Sequence, residues 1–79
     1  MNKQEAESEK TVHSNLINKV LIHNTYKQKM QVVEIGILEI SIHSDSYYVY
    51  CRLKGKLGDD VVETLDYVLK HYSVASSTL

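Results

Sequence analysis

The chain is 79 residues long, with 43% hydrophobic and 24% charged residues, a formal net charge of −1 at pH 7 and one cysteine. A chain of that length makes one domain with a thin core, burying little more than ~60% of its unfolded surface, and its composition excludes a fibrous class or disorder of the whole chain. The single Cys51 excludes an internal disulfide and any multi-cysteine zinc site, which fits a reducing compartment.

No apolar run approaches the ~20 residues of a membrane span, and the opening MNKQEAESEK is polar and acidic where a signal peptide is basic and then apolar. The expectation is a cytoplasmic protein without a membrane partner. Charge is spread unevenly: residues 1–10 carry −1, residues 11–30 carry +3, residues 31–58 are neutral and residues 59–79 carry −3. The absence of Pro, Trp and Phe beside frequent Lys, Ile, Asn and Tyr suggests an AT-rich genome, and the small size a phage or mobile element.

Residues 1–9 have no apolar periodicity and read as a flexible polar N-terminus. Val12, Leu16, Ile17, Val20 and Leu21 then fall on one stripe of a helix running from Lys10 to about Asn24. Residues 24–29 form a polar connection. The run MQVVEIGILEISI, residues 30–42, would place branched aliphatics all round a helix and reads as a strand, which Gly36 could divide in two. YYVYCRLK, residues 47–54, is the next strand.

With Ser44 and Asp45 as the loop, Ile42 pairs with Tyr47, Ile40 with Val49, Leu38 with Cys51 and Gly36 with Leu53, all facing the core. The opposite face then carries Ser41 with Tyr48, Glu39 with Tyr50, Ile37 with Arg52 and Ile35 with Lys54. After KGKLG, the capping-box spacing of Asp60 and Glu63 predicts a second helix, with Asp59 at its start, Lys70 and His71 at its end, and Val61, Leu65, Val68, Leu69 and Tyr72 on its buried stripe. Residues 73–79 read as a flexible C-terminal tail. The expected fold is α+β: a small α-β-β-α domain over residues 10–72, its antiparallel hairpin packed against two helices and completed by dimerisation.

Two helices cover one face of such a hairpin but not both. Val33, Ile35, Ile37, Tyr48, Tyr50 and Arg52 therefore read as a protein interface, with a homodimer or a protein target as the partner, since Tyr and Arg favour interface centres and a two-fold axis readily supplies a matching surface. The alternative is a single-stranded nucleic-acid platform, in which Tyr48 and Tyr50 stack on bases while Arg52, Lys54 and Lys56 attract phosphate. Near-neutral net charge and an acidic second helix argue against it.

Histidines 13, 23, 43 and 71 show no metal-ligand spacing, Cys51 falls on the inner hairpin face as a small hydrophobe, and Asp59, Asp60, Glu63 and Asp66 read as helix N-terminal charge on a solvated face. No phosphate loop or nucleophile elbow is present. The expected function is that of a non-enzymatic regulator, inhibitor or accessory factor, without metal or cofactor.

Overall fold

Asn2 starts the first helix with a capping box: its Oδ1 accepts from Glu5 N at 2.8 Å, and its own N donates to Glu5 Oε1 at 3.1 Å. The computed structural model describes residues 1–40 and 46–75. The helix, α1, spans Lys3–Val12, so helix replaces the polar lead-in expected before Lys10. Its one buried residue is Ala6, whose small side chain lets the helix backbone come close to the sheet. Val12, expected on a buried stripe, is exposed.

The longer helix expected to reach Asn24 does not form. The chain makes a 3-10 turn over Ser14–Leu16 and passes through a left-handed Asn18, φ 71°. It then enters strand β1, Val20–His23. Branched Val20 and Ile22 suit a pleated strand better than a helix, and the helical spacing of Val12 with Leu16 is coincidental.

Strands β2 (Lys29–Glu39) and β3 (Tyr47–Gly55) form the central hairpin. Beyond it lie β4 (Asp60–Thr64), helix α2 (Leu65–His71) and β5 (Tyr72–Val74). The sheet is antiparallel throughout, in the order β4-β3-β2-β1-β5. The fold is thus α+β, with two helices and a five-stranded sheet among the described residues in place of the simpler α-β-β-α layout.

Asp60 does not cap a helix. It begins β4, whose Val61–Val62 step favours a strand, and α2 starts later, with Thr64 Oγ1 accepting from Tyr67 N at 3.1 Å. Tyr72 and two residues of the expected tail pair with β1. Residues 76–79 of that tail, the Ser44–Asp45 loop, His43 and the pairings of Ser41 and Ile42 lie outside the described residues.

One core cluster joins Ala6 of α1 and Leu65 and Val68 of α2 to Leu21, Met30, Val32, Ile35, Val49, Cys51 and Leu53 of the sheet. Both helices therefore lie on the same side of the sheet. Burial raises the Cys51 thiol to about 11. Among the described residues, no helix is long and apolar enough to cross a membrane.

Candidate functional site: the open face of the sheet

The β2–β3 register decides which side chains share a face. Glu39 lies opposite Tyr47, Ile37 opposite Val49, Ile35 opposite Cys51, and Gly36 and Leu38 opposite Tyr50 and Tyr48. This is three residues from the expected pairing, an odd shift, so β2 is turned over relative to β3. The expected faces of β3 hold: Val49, Cys51 and Leu53 are buried. The expected faces of β2 are reversed from Ile35 onward.

Ile35 is consequently 4% exposed in the core, and Ile37 packs against it. Neither shares the open face with Tyr48, Tyr50 and Arg52, as the sequence reading expected. Gly36 and Leu38 take their places. Val33 is exposed and sits within a β-bulge between Val32 and Glu34; with Val32 and Ile35 both turned inward, Val33 and Glu34 are turned out.

The face opposite the helices carries a shallow depression of about 520 Å³ lined by Glu34, Leu38, Tyr50, Arg52, Asp60 and Val62. Leu38 is 48% exposed and Val62 59%. Tyr50 lies across Gly36, and its hydroxyl donates to Glu34 Oε2 at 3.3 Å. Burial, followed by the nearby Glu34 carboxylate, raises the Tyr50 hydroxyl above its usual range, an effect Arg52 partly offsets.

Arg52 grips Asp60 with two hydrogen bonds, Nε to Oδ1 at 3.0 Å and Nη2 to Oδ2 at 2.7 Å. This bidentate geometry fixes the guanidinium plane. The bonds from Arg52, and then its charge, hold the Asp60 carboxyl below the ordinary range. Lys54, opposite Asp60, and Lys56, in the β3–β4 turn, are exposed.

Sequence reasoning missed Glu34, Leu38, Asp60 and Val62. The signal for the last two was present: Gly58, φ 92°, in a short polar link before the Val61–Val62 step marks a hairpin turn.

A second aromatic assembly also escaped the sequence reading. His23, 6% exposed, accepts through Nδ1 from Thr25 N at 3.1 Å and Tyr26 N at 3.2 Å. With Nδ1 accepting, the ring hydrogen sits on Nε2 and faces the Tyr67 hydroxyl at 3.1 Å. The rings of Tyr26, His71 and Tyr72 close round it, so a residue held locally by the Thr25 and Tyr26 amides also ties β1 to α2 and β5, remote in sequence. Among the described residues, no group of three or more His, Cys, Asp or Glu side chains is placed to hold a metal ion.

Comparisons of the chain with protein-family models, curated proteins and solved structures gave no match.

Proposed function

We propose that the protein is a small non-enzymatic interaction module, a homodimer whose two copies meet through the open face of the sheet, acting in the cytoplasm as a regulator, inhibitor or accessory factor. The observation that carries this reading is the half-covered sheet. Both helices lie on one side, while Leu38 and Val62 stand exposed on the other beside Tyr50 and the Arg52–Asp60 pair. An apolar centre edged by polar groups is the form of an interface, and Tyr and Arg are the residue types enriched at interface centres.

A second copy is the favoured occupant because the face carries both charge signs. Beside the internal Arg52–Asp60 pair, Glu34 supplies a carboxylate and Lys54 a cation, and a two-fold axis can bring each sign to its opposite. The single-stranded nucleic-acid alternative is weaker. Arg52 already engages Asp60 through a bidentate contact, Tyr50 lies over Gly36, and two carboxylates stand where phosphate would pass.

Light scattering tests the reading. The wild-type chain should have at least the mass of two copies, and Leu38→Asp and Tyr50→Asp should each give a folded particle of lower mass, because a charge is placed in an apolar seam. Wild-type mass in both variants would refute the seam. Nucleic-acid binding that falls with salt and disappears in Arg52→Glu would favour the alternative.

A further inference from the structure

Among the described residues strand β4 ends the sheet, with no strand beside one of its long sides. The β3–β4 hairpin fixes which backbone groups point there. Gly55 N donates to Asp59 O at 2.9 Å, and bonded and non-bonded pairs alternate along an antiparallel ladder. Leu53–Val61 and Cys51–Glu63 are therefore bonded pairs, while Lys54–Asp60, Arg52–Val62 and Tyr50–Thr64 are not. The backbone N–H and C=O of Asp60 and Val62, with the N–H of Thr64, are directed away from β3.

Sheet edges are commonly protected by charged side chains, lysine above all, by proline, a bulge or a covering element; β4 carries two acids, one of which, Asp60, is held by Arg52. The sequence of β4, DVVET, has no lysine or proline, and its register with β3 is regular. Val61 and Val62, on opposite faces of the strand, are both exposed. This edge is equipped to continue pairing.

We infer that two copies join edge to edge through β4, with the two-fold axis at Val62. Outward groups must meet outward groups in an antiparallel pair, so the register can move only in steps that preserve that match. A centre at Asp60 or Glu63 sets that acid against its own copy. A centre at Val61 sets Asp59 against Glu63, and one at Thr64 runs into α2. Centred on Val62, the strand places Val62 against Val62, Asp60 against Thr64 and Val61 against Glu63. No like charges then oppose one another.

Val62 N–H and C=O bond their counterparts across the axis, and the two exposed valines meet on the open face. The two five-stranded sheets become one continuous sheet. This contact lies in the plane of the sheet, whereas the seam proposed above lies on its face. The two are separable, and a chain making both closes as a tetramer when the two axes meet at right angles.

Amide exchange at increasing protein concentration tests the edge directly. Val61 N–H, bonded to β3 within one copy, should exchange slowly at every concentration, whereas Val62 N–H should slow at least tenfold as copies associate. Val62→Pro removes the central donor without removing a bond to β3 and should halve the mass seen by light scattering. Val62→Thr keeps the donor and should retain the mass. The face variant Leu38→Asp should keep the concentration-dependent protection of Val62. Fast exchange of the Val62 amide at the highest concentration, or unchanged mass in a folded Val62→Pro chain, overturns the edge contact whether or not the face seam stands.

Discussion

Tyr50 roofs Gly36 on the open face: a Cβ added to the glycine would lie 2.6 Å from Tyr50 Cε1, well inside van der Waals contact. The glycine thus creates the seat in which an aromatic ring lies flat against a strand, a pairing that compensates for the missing side chain. Gly36→Ala should fold, since the backbone there is extended, but the ring must swing out and leave Glu34. The expected cost is about 1 kcal/mol, the scale of one cross-strand pair. Denaturant unfolding, with the Tyr50 ring shifts followed by NMR, measures both effects; an unmoved ring would contradict the packing described.

The opposite orientations of Ile35 and Leu38 give the sharpest mutational contrast. Ile35→Asp places an unpaired carboxylate in the core and should abolish cooperative folding. Leu38→Asp adds a charge to the open face and should leave the far-ultraviolet circular dichroism of a folded chain. Leu53→Ala, at a fully buried site, should cost about 2–5 kcal/mol. A folded Ile35→Asp beside an unfolded Leu38→Asp would restore the register expected from sequence.

That contrast also explains how far the fold is legible in the residues themselves. Tyr47–Leu53 alternates cleanly, so the inner and outer faces of β3 can be read without coordinates. β2 and the residue after it are aliphatic at both parities: Ile35 and Ile37 at one, Leu38 and Ile40 at the other. Either face could be the core by pattern alone, and the assumed two-residue loop selected the wrong one. The bonded pair Ile40–Ser46, with residues 41–45 between, fixes the alternative. The N-terminal helix was hidden differently. Its capping box is local and visible in Asn2 and Glu5, but the helix buries only Ala6, too little for an apolar stripe, and the backbone bonds between Met1 and Tyr47 leave no pattern in the side chains. Asp60 presents a third case, because the spacing Asp-x-x-Glu serves a capping box and an edge strand equally well until Thr64 is seen to cap the helix.

The Arg52–Asp60 pair makes stability depend on acid in a definite direction. Asp60 titrates below its unfolded value, so its contribution is present above the ordinary carboxylate range and is lost as pH falls through the lowered value. Asp60→Asn should remove that part of the acid-side slope, and added salt should weaken the effect because the pair is exposed. Urea unfolding across pH 2 to 6 is the measurement. An Asp60→Asn profile parallel to the wild type would remove the pair from the account.

Cys51 acts at the other end of the pH scale. The folded thiol titrates near 11, above its ordinary value of 9.0, because burial penalises the thiolate. Stability from this group is complete below the unfolded value and declines as pH rises from about 9 toward 11, where the unfolded chain ionises first. Cys51→Ala should flatten that part of the profile. Native protein should also resist alkylation that proceeds readily in denaturant; equal rates would mean the thiol is not enclosed.

His23 is expected to matter through its acceptor nitrogen. His23→Asn can keep an oxygen near the Thr25 and Tyr26 amides while losing the ring, whereas His23→Leu strands both amides. The leucine variant should therefore be the less stable, by about 1–3 kcal/mol for an unsatisfied buried donor. Thermal unfolding of the two variants ranks them, and equal stability would assign the role of His23 to ring packing alone.

The central claim is that the uncovered sheet face meets a second copy, and isotope-filtered NMR of a mixture of labelled and unlabelled chains tests it most directly. The account predicts intermolecular cross-peaks from the methyl groups of Leu38 and Val62 and from the ring of Tyr50. A spectrum in which Leu38 and Tyr50 show no cross-peak to the other copy at a concentration where the chain is associated would contradict it.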